Sequence, residues 1–323
     1  MDALSDVLRS IRLTGGVFLH AELTEPWCLG VRVLPSSCAP FVNRESAIIP
    51  YHYVLEGCLR VKLEHEPPVE LAQGQVVLFP RNDWHVLGGD LTLPPVPSED
   101  VVQRPSPDDL ASIRLGGGGA RTKIVCGFLG AEDLQGNPVV GDLPPSLTLD
   151  MSTGAGAEWI RSTFQYAAAE VASGRVGSDV ILAKVSELLF VEAVRRYVES
   201  VPDHHQGWLG ALADPYVERA LSLLHRRPAE HWSIDSLSRL VGLSRSALAE
   251  RFLQALGAPP MHYLASWRMQ LARRELLQSR KSLSEIAELV GYESEAAFAR
   301  AFKRIVGCSP GSLRRARAGR CGA

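Results

Sequence analysis

The sequence predicts a two-domain protein: an N-terminal β-barrel with flanking helices, then a C-terminal all-α pair of helix-turn-helix units. Three observations predict it. Short apolar runs separated by turn residues fill the first half, the apolar period becomes helical from Ala157, and Ser233–Pro310 says nearly the same thing twice. The expected division is 1–150 for the barrel, 151–200 for a helical hairpin, 201–213 for a linker and 214–317 for the helix-turn-helix pair. With 323 residues, 46% hydrophobic and 22% charged, the chain has material for two ordinary cores.

The net charge of −2 conceals a polarity. From Asp214 onward the chain carries 18 basic and 10 acidic residues, against 16 and 26 before it. The C-terminal part suits a polyanion, and the N-terminal part is repelled by one. Six cysteines (Cys28, Cys38, Cys58, Cys126, Cys308, Cys321) form no C-x-x-C, a pattern that suits a reducing compartment better than a disulfide scaffold. The opening MDALSDVLRSIRL lacks the apolar core of a signal peptide, and no run of 18 apolar residues occurs. The expected location is cytoplasmic, on the nucleoid, with no membrane association.

In chain order, Ala3–Leu13 reads as an amphipathic helix with Leu4, Val7, Leu8 and Ile11 on one side. Strands follow at Gly16–Leu23, Trp27–Leu34 and Ala47–Leu55. Leu59–Glu64 is the clearest, alternating strictly so that one face is buried. Val69–Leu71 and Val76–Phe79 continue the pattern to a sandwich or barrel. Pro94–Asp109 is Pro- and acid-rich and reads as an exposed loop, Gly116–Gly119 as a flexible turn, and Arg121–Leu129 as a late strand. Glu158–Ala172 and Asp179–Glu199 read as helices. The second is apolar around much of its girth and wants cover on more than one side, from its own domain or from a dimer partner. Pro202–Gly210, including His204-His205, reads as linker.

The repeat decodes into two helices per copy. Gly242 pairs with Gly291 and Phe252 with Phe302, an offset of 49 that becomes 50 across the turn. Ser282-x-x-Glu285 is a capping box, Leu283, Ile286, Leu289 and Val290 make an apolar face, and Gly291 sits where a left-handed cap needs no Cβ. The second helix of that copy, Ala296–Val306, sets Phe298, Phe302 and Ile305 on one face and leaves Arg300, Lys303 and Arg304 elsewhere. Leu237, Leu240, Val241, Leu248, Phe252 and Leu256 do the same work in the first copy. Two short helices around a Gly-containing turn, the second one basic, make a helix-turn-helix.

On these residues, with Gly257-x-x-Pro260, Tyr263-Leu264, Arg268, Ala272, Gly291-Tyr292, Phe298-x-Arg300-x-Phe302-Lys303 and Ser309-Pro310, the region from about Asp214 to Arg315 resembles the AraC/XylS family of transcription regulators. The resemblance implies that the helix Pro260–Gln278, with Tyr263, Leu264, Trp267, Leu271 and Leu277 as its apolar sides, holds two recognition helices in successive major grooves. The DNA-facing residues it implies are Arg245, Ser246, Ala249 and Glu250 in the first and Glu295, Ala296, Ala299, Arg300 and Lys303 in the second. Arg300 can bind guanine bidentately. Glu250 stands where the family often has Arg, and it either accepts from cytosine or pairs with Arg245. Arg314, Arg315, Arg317 and Arg320 form a basic tail. The partners implied are double-stranded promoter DNA, a small-molecule effector, RNA polymerase and a second copy of the chain.

The early β region resembles the cupin-like double-stranded β-helix that serves as sensor in many of these regulators. His52-x-x-x-Glu56-Gly57 echoes one cupin motif and Gly74-x5-Pro80-x4-His85 the other. The ligand residues this resemblance implies are His52, Glu56 and His85, and Trp84, beside His85, could cap a ligand pocket or pack in the core. Cys126, in a late strand, could join His52 and His85 in holding zinc or in sensing oxidation, and zinc is the one cofactor candidate. Pro50 and Asn82 depart from the cupin pattern and weaken the case for an iron or manganese centre. The alternative for these residues is core packing. The leading reading is a ligand-controlled transcription regulator. A metal-dependent cupin enzyme with an accessory DNA-binding region, or a constitutive dimeric DNA-binding protein, are the alternatives.

Overall fold

The structure is a computed structural model that describes residues 2–10, 13–38, 47–103, 111–131, 137–153, 158, 162–163, 166, 178–200 and 206–318. The chain forms two compact units: Ile11–Leu134 with Leu143–Ser200, and Met1–Ser10 with Gln135–Asp142 and Val201–Ala323.

The first unit is built from β1 (Leu13–Thr24), β2 (Cys28–Val31), β3 (Ala47–Glu56), β4 (Cys58–Leu63), β5 (Val69–Ala72), β6 (Gln75–Leu78), β7 (His85–Gly88), β8 (Val96–Pro97), β9 (Ala111–Gly116), β10 (Arg121–Ala131) and β11 (Leu147–Asp150). They form two sheets, one ordered β11-β6-β3-β10-β1-β9 and one β5-β4-β7-β2-β8. In β4, Leu59, Val61 and Leu63 are buried and Arg60 and Lys62 exposed, as its alternation requires. Leu29, Leu59 and Leu87 from one sheet share a core with Val54, Ile124 and Phe128 from the other.

Strand β3 is buried on both faces. It is central in its sheet, with Cys126 of β10 opposite His52 on one side and Val77 of β6 on the other. A helix of the same unit, Ser178–Ser200, packs against β1, β10 and β11. Its Ser186 Oγ lies 2.9 Å from Tyr51 Oη, a buried bond between helix and sheet. The Tyr51 ring lies over Gly127, where a Cβ would come within 2.1 Å of it, so only glycine permits this approach.

Three expectations are corrected here. The loop expected at Pro94–Asp109 holds β8 and a single helical turn, Ser98–Val101. β8 pairs in parallel with β2 at the sheet edge, where Pro97 can sit without an N–H to offer; residues 104–110 lie outside the described residues. Gly116–Gly119 is a hydrogen-bonded turn rather than a loose one: Gly117 N donates to Thr24 O, Gly118 N to Thr24 Oγ1 and Gly119 N to Glu25 O. The N-terminal helix stops at Ser10, and Leu13 already belongs to β1. Most of the helix expected at Glu158–Ala172, and His204-His205, lie outside the described residues.

The second unit contains α1 (Ala3–Ser10), α3 (Pro138–Asp142; α2 being the turn Ser98–Val101), and, after α4 (Ser178–Ser200) of the barrel unit, α5 (Trp208–Ala211), α6 (Pro215–Arg226), α7 (Ile234–Val241), α8 (Arg245–Leu256), α9 (Pro260–Gln278), α10 (Leu283–Leu289), α11 (Glu295–Val306) and α12 (Pro310–Ala318). Residues 1–10 and 135–142, expected within the barrel segment, thus belong with the helices. The reason is contact: Ala3 and Val7 are fully buried, Ala3 N donates to Glu218 Oε1 at 3.2 Å, and Asp142 Oδ2 accepts from Leu209 N at 2.7 Å. All four residues of α5 are buried, so this part of the expected linker is core.

Local signals place the helix-turn-helix pair. Asp214, Ser233, Ser244, Ser282 and Ser294 cap the N-termini of α6, α7, α8, α10 and α11, and Ser282 with Glu285 forms the expected capping box. Gly242, Gly257 and Gly307 end α7, α8 and α11 in the left-handed region. Helix α9 is shared between the two copies. Its Trp267 stacks on His225 of α6 with ring centres 4.1 Å apart, and Tyr263 meets Phe252 of α8 edge-on at 6.3 Å. Further along, Met269, Ala272 and Leu276 pack with Ile286, Val290, Phe298 and Phe302 of the second copy. Leu271 and Leu277, expected on this face, are only half-buried; Met269 and Leu276 lie deeper.

One side chain ties the copies together. Arg268 Nε donates to Pro228 O at 2.7 Å, Nη2 to Glu230 O at 2.8 Å and Nη1 to Gly291 O at 3.3 Å. Its guanidinium also lies 5.7 Å from the Tyr292 ring centre. An ammonium cannot span three carbonyls that a planar fork reaches at once. Arg268→Lys is therefore expected to lower the stability of the helical unit by roughly 1–3 kcal/mol, read from urea unfolding; an unchanged midpoint would count against this role.

Candidate functional site

The exposed faces of α8 and α11 are the nucleic-acid candidates. Ser244 Oγ accepts from Ala247 N at 3.2 Å, and this cap starts α8 with Arg245 and Ser246 exposed at its N-terminus. Ala249 is half-buried and Glu250 exposed. Arg245 pairs with Asp235 of α7 at 3.2 Å, not with Glu250, whose Oε1 instead accepts from Gln254 Nε2 at 3.4 Å. That corrects one of the two partners expected for Glu250, and Asp235 is a residue that the sequence reading passed over. In α11, Glu295, Ala296, Arg300 and Lys303 are exposed and Ala299 half-buried. Arg314, placed in the expected tail, lies in α12, and its Nε and Nη2 are buried. Arg320 and the side chain of Arg317 lie outside the described residues.

In the barrel, the structure brings together three of the residues singled out from the sequence and leaves two apart. His52 Nδ1 lies 2.9 Å from Cys126 Sγ, and His52 Nε2 lies 2.9 Å from His85 Nε2. His85 Nδ1 lies 2.8 Å from the backbone oxygen of Asp83. A carbonyl can only accept, so His85 carries its hydrogen on Nδ1 and accepts at Nε2. His52 must then donate from Nε2 and accept at Nδ1, where the Cys126 thiol donates. The backbone of Asp83 thus sets the tautomers of the whole chain. Phe79 stacks on His85, with ring centres 3.7 Å apart and planes at 9°. Glu56 sits at the end of β3, exposed, paired with Lys123 at 3.0 Å. Trp84 is 46% exposed, its ring lying against Gly30.

Burial governs the chemistry of this chain. It pushes His52 well below the ordinary imidazole range, with His85 acting the same way, and it pushes His85 down to about 4 against the Asp83 carbonyl. It raises the Cys126 thiol, so the group is a hydrogen-bond donor rather than a reactive thiolate. A shared zinc ion would need donors converging on one point. Here Cys126 and His85 occupy opposite nitrogens of one ring, and among the described residues no three His, Cys, Asp or Glu side chains are arranged to hold a metal. The residues as arranged do not fit the expected three-donor zinc set.

A two-sheet barrel and a tandem helix-turn-helix on one chain define a two-domain DNA-binding transcription regulator. Residues 2–199 match a family described as cupin, and residues 237–316 a family described as a helix-turn-helix domain. An AraC-like transcription regulator of Streptomyces antibioticus is 32% identical, with 98% of this chain and 99% of that protein covered. The HTH-type transcriptional regulator AlkR of Acinetobacter baylyi is 27% identical over 96% of this chain and 98% of its own. The RCS-specific HTH-type transcriptional activator RclR of Escherichia coli is 26% identical over 97% of each. Among solved structures, the DNA-binding domain of AdpA in complex with a target DNA is 29% identical, covering 34% of this chain and 99% of that one at a TM-score of 0.32. The chain belongs to the AraC family of DNA-binding transcription regulators and carries a cupin domain at its N-terminus. These relatives are named as transcription regulators, which favours that reading over a metal-dependent cupin enzyme. Among the described residues no helix is long and apolar enough to cross a membrane.

The buried imidazoles make the barrel sensitive to acid. Unfolded, each takes up a proton below the ordinary value of 6.5, whereas folded His85 does so only near 4. The unfolded state therefore binds more protons between those values, so the His85 contribution to stability is full above pH 6.5, falls as pH drops and levels off below about 4. Protection of β3 and β10 amides from exchange is expected to fall across that window, and more gently in His85→Gln; protection that ignores pH would contradict the neutral-imidazole assignment.

Proposed function

We propose that this regulator grips promoter DNA in the cytoplasm with α8 and α11, as a homodimer, and that a small molecule held in the barrel governs that grip. The observation that carries the DNA reading is the pair of serine-capped helices with exposed polar N-terminal faces, held on one shared helix. The contacts are Arg245, Ser246, Ala249 and Glu250 from α8, and Glu295, Ala296, Ala299, Arg300 and Lys303 from α11. Arg300 reads guanine through its fork.

Support for an effector comes from the buried line of Cys126, His52 and His85, which lies among the apolar side chains of the barrel core. Hydrogen-bonding groups held neutral in a dry interior suit an uncharged polar ligand better than an ion. The dimer is supported by α4, which buries Val185, Leu189, Phe190 and Val194 yet leaves Val180 66% and Leu188 49% exposed. Bound upstream of a gene, such a dimer presents its remaining surface to RNA polymerase.

Sequence selection from a random duplex pool tests the DNA reading. Arg300→Ala is expected to lose roughly 1–3 kcal/mol of discrimination at one base position, and an unchanged preference would remove Arg300 from the reading set. Candidate effectors are tested by whether they shift the affinity for the selected duplex, and a shift that survives His52→Phe would overturn the barrel as their site.

A further inference from the structure

The two recognition helices follow the same architecture but differ in charge at matched positions. Aligning the N-caps Ser244 and Ser294 places Glu250 of α8 opposite Arg300 of α11, Leu253 opposite Lys303, and Gln254 opposite Arg304. All six are exposed. Where the second copy offers three cations, the first offers a carboxylate, an aliphatic side chain and an amide.

Ion pairing sharpens the difference. The two cations of α8 are both engaged: Arg245 with Asp235 at 3.2 Å, and Arg251 with Asp214. In the second copy the position of Asp235 is held by the neutral Ser284. Among the described residues no carboxylate pairs with Arg300, Lys303 or Arg304. Counting each helix with its paired carboxylates, α8 sets two cations against three acids, and α11 sets three cations against one. Exposed ion pairs are individually weak, but a phosphate reaching Arg245 also meets the carboxylate beside it, and that repulsion remains when the pair opens.

We infer that the two helices divide the labour of recognition: beyond the guanine contact of Arg300, α11 supplies the phosphate grip through Lys303 and Arg304, and α8 discriminates between bases with little electrostatic pull, Glu250 accepting from the amino group of cytosine. This rests on the assignment of both faces to DNA. Each cation that neutralises a phosphate releases counterions and steepens the fall of affinity with salt by about 0.9 in the log–log slope. A carboxylate in the groove instead rejects bases that present acceptors, and it adds nothing to that slope.

The experiment measures binding of the full chain to a random-sequence duplex pool about three helical turns long, from about 50 to 200 mM salt. Lys303→Ala and Arg304→Ala are each expected to lower the salt slope by about one, Arg245→Ala to leave it, and Glu250→Arg to raise it by about one. Glu250→Gln is expected to hold or tighten binding to the pool while relaxing selection at one base pair. If Arg245→Ala flattens the slope as much as Lys303→Ala does, the grip is equal, and the division of labour falls while the DNA-facing assignment stands. If no substitution on either helix moves the slope or the selected sequence, the assignment of the faces falls instead. All the substituted side chains are exposed, so folding is not the variable under test.

Discussion

The arrangement of the helical unit depends on α9 and on the three carbonyls that Arg268 gathers from it. A helix-turn-helix is small, and two of them on a flexible tether would sample many relative orientations. Here α9 gives its first half to one copy through Tyr263 and Trp267, and its second half to the other through Met269, Ala272 and Leu276. Arg268, between them, reaches back to the turn before α7 and forward to the turn after α10. Gly291 is the complement of that reach. Its φ is +77°, and a Cβ there would lie 2.6 Å from the Ala229 oxygen, so the second copy can close on the first only with glycine at this place. Two repeats thereby become one rigid reader.

The helical unit also recruits chain from far away in sequence. The polypeptide crosses between units at residues 10–11, 134–135, 142–143 and 200–201. Helices α1 and α3 are short, and neither carries enough apolar surface to stand alone; α1 finds burial against α6, and α3 against α5. His225 marks this junction. It is stacked on Trp267, bonded to Tyr263 Oη at 2.8 Å, and pushed down to about 4 by burial. The barrel has its own polar line in His85, His52 and Cys126, where one backbone carbonyl settles which nitrogen bears each hydrogen. Buried polar groups cost little when each has a partner and much when one is removed, which gives the barrel's line a directional chemistry without a charge.

Much of this was legible from residue order, and the reasons differ by element. Capping serines, left-handed glycines and helical periodicity are local signals, and they placed the Ser282 cap of α10, the Gly242 stop of α7, the start of α8 near Ser244 and all but the first residue of α11. The alternation of β4 is equally local. What local pattern does not encode is partnership. Leu8 and Val7 announce an amphipathic helix without saying which unit buries it. Trp208–Ala211 looks like linker because four residues are too few to show a period. His52, His85 and Cys126 could be listed from spacing, but whether they converge on a point or run in a line is decided by which ring nitrogen faces which neighbour. Glu56, from the same motif as His52, and Trp84, beside His85, end on the surface, because the end of β3 lets Glu56 reach Lys123 and Trp84 finds the bare backbone of Gly30. Asp235, which turns Arg245 aside, lies ten positions away in the sequence and meets it only across the turn.

Hydroxyl-radical footprinting of the full chain on a selected duplex tests the rigid reader most directly. The account predicts two protected patches on one face of the DNA, about one helical turn apart for each bound protomer, with the spacing blurred in Arg268→Lys. A single patch per protomer, or two patches whose spacing is indifferent to Arg268, would contradict it.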